Sequence, residues 1–428
     1  MTTTIAVLKE TAPGEQRVAQ VPESVQKLVK LGLSVNVEQG AGRAAHIEDS
    51  EYEKAGARVV PDAGAALRDA RVVLKVQRPS EAEACLLPPG SLLIAFLAPG
   101  ESAALLAQLA AGNVDALAME NVPRTTRAQA MDALSSQATV AGYKAVLLGA
   151  SLCPRLLPML TTAAGTLTPA KVLVLGAGVA GLQAIATAKR LGAVVSAFDV
   201  RSAVREQVQS LGAQFVEAPA LGNDAEVAGG YAAQLSEERQ RLVLETIDEQ
   251  LPRMDLVITT AQVRGASAPR LITAKMLRRM KPGAVVVDLA AESGGNCELT
   301  TAGDTVCEAG VTVLGPTNLA ASVPQHASMM YAKNVTALLA PLIKDAALQL
   351  DVSDDIVAAM LVVHDGSVRS GSVRSGSVRN GSDHNGSVRN GSVHNGSVDN
   401  GSVGSVHNGS VDNGSVDNGS IQNGSVRT

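Results

Sequence analysis

A glycine-rich segment and an aspartate downstream of it have the residue types and spacing of a phosphate-binding turn. Residues 176–181 have the sequence GAGVAG after an apolar run, and Asp199 ends the next apolar run. In such a turn the first glycine permits the sharp bend, the second lets the backbone approach a pyrophosphate and the third lets the helix lie close to the strand. These roles are predicted for Gly176, Gly178 and Gly181 in that order.

The chemistry of Asp199 predicts which dinucleotide the segment would bind. Its carboxylate can accept hydrogen bonds from an adenosine ribose, and its charge would repel a 2′-phosphate. A helix opening at Val179 would offer unpaired N–H groups and a positive dipole end to the phosphates. The sequence therefore predicts an NAD(H) site rather than an NADP(H) site. A tight strand–helix turn without a ligand is the alternative.

A second polar segment could hold the nicotinamide half of such a cofactor. Two arginines, Arg124 and Arg127, precede Gln129, Asp132 and Ser135. On a helix the last three would recur at i, i+3 and i+6 and share one face, where they could bind a carboxamide and a ribose. The alternative is a polar helix start with a solvated Asp132, and periodicity alone does not decide between the two.

The elements that must position these residues are those of an α/β protein. The chain has 428 residues and is 46% hydrophobic but only 2% aromatic, which favours Val-rich strands and Ala/Leu-rich helices. We predict two Rossmann-like, doubly wound parallel-sheet domains that flank a nucleotide cleft. The first spans 1–133 and is completed by a returning helix at about 327–350. The second, which binds NAD(H), spans 134–326 and begins with a connector helix at 133–152.

The individual elements follow from short apolar runs and helical periodicity. Predicted strands are 4–8, 34–38, 71–76, 91–97 and 114–118 in the first domain, and 171–175, 194–198, 213–216, 256–260, 284–288 and 311–314 in the second. Predicted helices of the first domain are 22–31, 49–55, 62–68 and 101–111. Residues 366–428 are GSVxN-type repeats, whose single valine per repeat cannot build a core, so we predict a disordered tail.

Several classes of function are disfavoured. A net charge of −5 argues against a nucleic-acid partner, and no segment has the roughly 20 apolar residues of a membrane span. The N-terminus is predicted to be a first strand rather than a targeting segment. Four scattered cysteines without CxxC spacing indicate reduced thiols. His46 and His326 have no acidic or thiol neighbours at ligand spacing, so no metal is predicted.

The chain resembles the NAD(H)-binding component of proton-translocating nicotinamide nucleotide transhydrogenase. The resemblance covers about residues 1–345 and excludes the repeats. The segments that carry it are 124–137, 141–143, 162–166, 176–193, 199–201, 229–232, 258–261, 271–273, 280–283, 287–290 and 294–297.

The resemblance implies roles for particular residues. Those that would contact the nicotinamide and its ribose are Arg124, Arg127, Gln129, Asp132 and Ser135, with Gln129 and Asp132 as the catalytic residues. Those that would bind the rest of the cofactor are Gly176, Gly178, Val179 and Gly181 at the phosphates, Asp199, Val200 and Arg201 at the adenosine ribose, Gly230 and Tyr231 in a mobile loop, and Ala261 and Gln262 beside the adenosine. Hydride would pass directly between NAD(H) here and NADP(H) on a partner component.

The resemblance also implies an assembly. The partners would be membrane transhydrogenase subunits and the NADP(H)-binding component, and the chain itself would form a homodimer. Its location would be cytoplasmic, peripheral on the inner face of the plasma membrane through those subunits. The repeat tail stands where single-chain forms continue into membrane helices, which suggests a split arrangement with separate membrane subunits.

Two other functions remain open at this point. Alanine dehydrogenase shares the expected fold and uses an arginine, a lysine and a histidine; Arg17 and Lys75 match the first two, but no histidine occurs in 91–100. Arg17 and Lys75 are then expected to be structural. Segments 262–269 and 319–327 depart from the transhydrogenase pattern, so a non-catalytic NAD(H)-binding paralogue is the third possibility.

Overall fold

A computed structural model describes residues 2–218, 226–227, 231–232, 236–263 and 266–369. The strands are β1 (Thr4–Val7), β2 (Ser34–Glu38), β3 (Arg58–Val60), β4 (Ala70–Leu74), β5 (Leu92–Ala95), β6 (Asp115–Ala118), β7 (Leu160–Thr162), β8 (Gly165–Leu167), β9 (Lys171–Leu175), β10 (Val194–Phe198), β11 (Gln214–Phe215), β12 (Glu226–Val227), β13 (Tyr231–Ala232), β14 (Leu256–Thr259), β15 (Val285–Asp288), β16 (Thr305–Glu308), β17 (Val311–Leu314), β18 (Ile343–Lys344), β19 (Ala347–Leu348), β20 (Leu361–His364) and β21 (Ser367–Val368). The helices are α1 (Pro22–Lys30), α2 (Asp49–Lys54), α3 (Ala63–Leu67), α4 (Glu81–Ala84), α5 (Ala103–Ala111), α6 (Ala133–Leu152), α7 (Val179–Arg190), α8 (Arg205–Ser210), α9 (Glu237–Gln250), α10 (Ala274–Leu277), α11 (Pro324–Leu339) and α12 (Asp355–Met360).

Two parallel sheets form the framework, as predicted. The first has the order β21-β20-β6-β5-β4-β1-β2-β3 and the second has the order β11-β10-β9-β14-β15-β17-β16. In each, six parallel strands follow the doubly wound order 3-2-1-4-5-6, and antiparallel strands extend one edge. The central strands β9, β14 and β15 are buried because helices cover both faces, which explains their continuous runs of Val, Leu and Ile.

Helix α6 joins the two sheets and has the bounds predicted for the connector. It packs closely on α7, since a Cβ atom at Gly142 would overlap the backbone carbonyl of Ala180. A Cβ at Gly149 would likewise overlap Leu256 on β14. The two glycines therefore let α6 lie directly against the second sheet and the start of α7. This contact places the first turn of α6 near the glycine turn.

The predicted returning helix at 327–350 is wrong at both ends. Helix α11 begins at Pro324 and ends at Leu339, because Pro341 has no N–H to continue the helix. A 3₁₀ turn follows, and then Asp345 and Ala346, both with positive φ, connect β18 to β19 as a tight hairpin. The part of the prediction that holds is the packing of α11 against the first sheet.

The predicted start of the disordered tail at Gly366 is also wrong. Ser367–Val368 forms β21, which pairs antiparallel with β20, and β20 pairs with β6. The first GSVxN-type repeat therefore contributes an edge strand to the first sheet. Strands β3 and β20 and helix α4 were not predicted from the sequence. The remaining repeats, 370–428, lie outside the described residues.

Candidate active site: a cavity between the glycine turn and the start of α6

A cavity of about 1060 Å³ lies at the carboxyl ends of β9, β10 and β14 and is closed on its other side by residues at the start of α6. Small-molecule and cofactor sites have volumes of roughly 300–1,000 Å³, and in doubly wound sheets they lie at this edge. The predicted site residues that line the cavity are Arg124, Gln129, Asp132, Ser135, Gly176, Gly178, Val179, Asp199, Val200, Arg201, Ala261 and Gln262. The cavity thus joins the two polar segments that the sequence singled out.

The glycine turn has the geometry that its residue types predict. Gly176 has φ +98, and a Cβ there would lie 2.7 Å from Thr260 Oγ1. A Cβ at Gly181 would overlap the carbonyl oxygen of Gly176, so α7 can approach β9 only without one. Gly178 has no heavy atom within 4 Å of its would-be Cβ. Its backbone is therefore open to the cavity, and Gly181 acts in packing rather than in lining.

Asp199 is 9% exposed and connects the glycine turn to Arg201. Its Oδ2 accepts hydrogen bonds from the Ala177 N–H at 2.7 Å and from Arg201 Nη2 at 2.9 Å. Its Oδ1 accepts from the backbone N–H and the Nε of Arg201, both at 2.9 Å. These four contacts equal the roughly four acceptor sites of a carboxylate. A ribose hydroxyl that binds Asp199 must therefore displace one contact of Arg201.

The start of α6 differs from the single helical face predicted for Gln129, Asp132 and Ser135. Gln129 lies in a separate 3₁₀ turn, Gln129–Met131, and the α-helix begins after Asp132. Asp132 caps that helix: its Oδ1 accepts from the Ser135 N–H at 2.9 Å and its Oδ2 from Ser135 Oγ at 2.6 Å. All three residues still line the cavity, because the 3₁₀ turn and the cap bring them together. Asp132 is thus both a cap and a lining residue.

Arg127 lies away from this cavity, in contrast to the role that the resemblance implies. Its guanidinium forms ion pairs with Asp354 and Asp355, ahead of and within α12, and its side chain is 53% exposed. It lines a smaller cavity of about 460 Å³ together with Lys344 and Gln349. Sequence reasoning could not find these partners, since they lie 227 and 228 positions further along the chain.

Two other predicted residues belong to the incompletely described loop. Gly230 lies outside the described residues, and Tyr231 lies in β13, the short strand that pairs with β12. Conversely, sequence reasoning missed Gln207 on α8 and Gln240 on α9, which line the cavity. It also missed Asn296, which bonds the backbone N–H and carbonyl of Ala261 at 3.0 and 2.8 Å. The only signal for Asn296 was its place in the 294–297 segment that carries the resemblance.

The described residues contain no cluster of three or more His, Cys, Asp or Glu side chains that could hold a metal ion. Within the same part of the chain, no helix combines the length and the apolar character needed to cross a bilayer. The polar groups that line the large cavity include arginine, glutamine, aspartate and serine side chains, together with the backbone of the glycine turn.

Comparison with known proteins identifies the family. Residues 6–141 match the model of the N-terminal domain of alanine dehydrogenase/PNT, and residues 145–371 match the model of its C-terminal domain. The chain belongs to the alanine dehydrogenase/PNT family. The resemblance inferred from the motifs is confirmed, and this is a family of oxidoreductases.

Within the alanine dehydrogenase/PNT family, the transhydrogenase branch is the more similar one. An NAD(P) transhydrogenase subunit alpha chain from Rhodospirillum rubrum is 48% identical over 373 residues, covering 85% of this chain and 97% of that protein. A crystal structure of transhydrogenase from Sinorhizobium meliloti has 46% identity and a TM-score of 0.78, covering 86% of this chain and all of that one. Alanine dehydrogenase of Halomonas elongata is 32% identical, covering 85% and 94%.

The two residues that match the other branch of the family are held inside the first domain. Arg17 is buried and donates to Glu15, to Gln137 Oε1 at 2.8 Å and to Asn318 Oδ1 at 2.9 Å. Lys75 is buried and bonds Glu83 at 2.7 Å, with Glu10 at 3.7 Å. Both cations thus have carboxylate partners within the chain, in keeping with the structural role expected of them.

The carboxylates of this buried group differ in proton affinity. Burial raises the pKa of Glu10 to about 7, although Lys75 and the N–H groups of Val76 and Gln77 oppose the rise. Burial also acts to raise the pKa of Glu15, but the hydrogen bond and charge of Arg17 outweigh it and lower that pKa to about 2. Glu15 is therefore the firmly ionised member of the group.

Proposed function

We propose that this chain is the NAD(H)-binding component of a proton-translocating transhydrogenase. It would transfer hydride directly between NAD(H) in the large cavity and NADP(H) on a partner component, and the partner membrane subunits would couple this transfer to proton movement. The observation that carries the proposal is that Gln129, Asp132 and Ser135 line the same cavity as the glycine turn. The 48% identity to a transhydrogenase alpha subunit supports it.

The residues present fit a dinucleotide at the adenosine end. The open backbone at Gly178 and the first N–H groups of α7 can receive the pyrophosphate. Asp199 can accept an adenosine ribose hydroxyl once Arg201 yields one contact, and its charge disfavours a 2′-phosphate. This arrangement supports NAD(H) as the bound cofactor, with NADP(H) left to the partner.

The opposite wall of the cavity can orient the nicotinamide end. Gln129 offers an amide that can pair with a carboxamide, and Arg124 adds a cation nearby. Asp132 and Ser135 are held to each other, which keeps both in place for a ribose. The nicotinamide supplies the hydride chemistry when bound, so the protein needs no nucleophile or base and contributes orientation. Leu134 and Val179, both at the cavity and exposed, leave an apolar edge for the second nucleotide's carrier.

The same proposal includes the assembly. A homodimer is supported by the hairpin β7–β8, whose six strand residues are all exposed. Exposed apolar side chains in and around it are Leu152, Leu156, Met159, Leu160 and Leu167. An isolated two-stranded hairpin is marginally stable in water, so burial by a second copy would stabilise it. The location proposed is the cytoplasmic face of the membrane, through the partner subunits.

The competing function is that of an amino-acid dehydrogenase, which the presence of Arg17 and Lys75 favours. Their internal carboxylate partners and the absence of histidine from 91–100 oppose it. A non-catalytic NAD(H)-binding paralogue is the third candidate, since segments 262–269 and 319–327 differ from the transhydrogenase pattern.

One pair of assays separates the three functions. The purified chain is mixed with an NADP(H)-binding transhydrogenase component, and reduction of an NADP⁺ analogue by NADH is followed. In parallel, alanine oxidation with NAD⁺ is measured without the partner. We expect hydride exchange in the first assay and none in the second. Alanine turnover would contradict the proposal, and NADH binding without either activity would support the paralogue.

A further inference from the structure

The 3₁₀ turn Gln129–Met131 is tied by a side chain of another element. Asn334, on α11, is 8% exposed, and its Nδ2 donates to the backbone carbonyl of Ala130 at 2.8 Å. Its Oδ1 accepts a hydrogen bond from Ser136 Oγ at 2.7 Å. Because a carbonyl accepts only from the amide nitrogen, the Ala130 contact fixes the orientation of the amide group. Asn334 thus spans from the 3₁₀ turn to the first turn of α6.

This bridge brackets the residues proposed to orient the nicotinamide. Gln129 immediately precedes the anchored carbonyl of Ala130, and Asp132 lies between Ala130 and Ser136. Two turns earlier on α11, the carbonyl of Ala327 accepts from Gln137 Nε2 at 3.1 Å. Positions 327 and 334 share one face of the helix. Helix α11 therefore holds the start of α6 at two points, although it packs in the core of the first sheet.

We propose that Asn334 is a positioning residue for hydride transfer, acting through the backbone of Ala130 on Gln129 and Asp132. The inference rests on the proposed function, in which those two residues orient the nicotinamide. It assigns to α11, far from the glycine turn in sequence, the task of setting the nicotinamide end of the site. The adenosine end has its own supports at Asp199 and Asn296 and is independent of Asn334.

The variant Asn334→Asp tests this role at nearly constant size. An aspartate can still accept from Ser136, but it cannot donate to Ala130 and its charge repels that carbonyl. Since a displacement of about 1 Å costs on the order of a hundredfold in rate, we expect hydride transfer to fall by at least about tenfold. NADH affinity should fall several-fold while ADP, which lacks the nicotinamide half, binds as to the native protein. The fluorescence emission of bound NADH should also shift.

Ser328→Ala is the matched control. Ser328 is buried on the same helix, but its Oγ accepts from the Val18 N–H at 3.0 Å and does not touch the 3₁₀ turn. It should leave the ratio of NADH to ADP affinity and the emission unchanged. If Asn334→Asp does not fold, Asn334→Ser removes the bridge without a buried charge and gives the same comparison.

The outcomes are distinguishable from failure of the proposed function. Equal weakening of NADH and ADP, or native values for NADH affinity, emission and rate, would overturn the role of Asn334. If the native protein shows no hydride transfer with the partner, the proposed function fails, and the NADH-to-ADP affinity ratio still tests the positioning.

Discussion

At the residue scale, Asp199 has more contacts than its motif indicates. The sequence predicts an acid beside the ribose, but it does not reveal that the carboxylate also accepts from Ala177 in the glycine turn and is paired with Arg201. An arginine in this position is the group that other dinucleotide sites use to accept a 2′-phosphate. Asp199 therefore opposes NADP(H) in two ways, by its own charge and by holding Arg201.

The variant Asp199→Asn tests this double role. The amide keeps one acceptor for the Ala177 N–H but loses the charge that holds Arg201, so the guanidinium can turn to a 2′-phosphate. We expect NADH to bind several-fold more weakly and its preference over NADPH to fall by about tenfold, measured by titration of both nucleotides. Arg201→Gln, which leaves Asp199 charged, is the control and should keep the preference. Unchanged selectivity in Asp199→Asn would refute the ribose role.

The residues that the sequence identified correctly are those whose function is local. Gly176, Gly178, Gly181 and Asp199 act within one strand–turn–helix–strand unit, so spacing alone predicts their geometry. The partners of Arg127 and the bridge formed by Asn334 join positions about 200 residues apart, and no short-range pattern encodes them.

At the element scale, the glycine turn separates packing from binding. Gly181 is needed because the helix and the turn meet there, whereas Gly178 has open space around it and a negative φ of −76. The two glycines are equivalent in the motif, and only the structure assigns them different consequences.

Replacing each glycine with alanine should therefore give different defects. Gly181→Ala forces α7 away from β9 and should lower the melting temperature by several degrees, since overpacking costs about 1–3 kcal/mol. Gly178→Ala should melt as the native protein does but bind NADH at least about tenfold more weakly, because the methyl group occupies space needed by the pyrophosphate. Thermal melts and NADH titrations of both variants check this. Native NADH affinity in a folded Gly178→Ala protein would contradict the phosphate role.

The predictability of the elements follows the strength of their local signals. The long helix α6 and strand β2 have the predicted bounds, since each has a clear apolar pattern and a defined end. The region after Leu339 was misassigned, because its Ala- and Leu-rich composition favours helix while Pro341 and two positive-φ residues impose a hairpin. Strand β21 was missed because a repeat with one valine gains a partner only through the edge strand β20.

At the scale of the whole molecule, a buried charged group links the stability of the first domain to pH. Glu10 has a pKa of about 7 in the folded protein, compared with 4.5 for an ordinary glutamate. The folded state therefore binds this proton more tightly than the unfolded chain does. The resulting stabilisation is complete below about pH 4.5 and is lost as the pH rises through 7. Glu15, with its lowered pKa of about 2, contributes in the opposite sense and loses its stabilisation as the pH falls from 4.5 towards 2.

Denaturant unfolding at pH 5 and pH 8 tests the contribution of Glu10. The native protein should have a lower free energy of unfolding at pH 8, and Glu10→Gln, which carries no ionisable group there, should show a smaller difference between the two pH values. Lys27→Gln, which removes an exposed partner of Glu23, serves as a surface control and should follow the native protein. A Glu10→Gln variant with the native pH dependence would contradict the assigned pKa.

The central claim, direct transfer between two nucleotides, is tested most directly by following the hydrogen atom itself. The chain and an NADP(H)-binding component are supplied with NADH deuterated at the transferred position of C4 and with an NADP⁺ analogue in ordinary water, and the product is analysed by mass spectrometry. The account predicts that the deuterium appears in the reduced NADP analogue. Product that carries solvent hydrogen instead, or no product while alanine is oxidised, would contradict it.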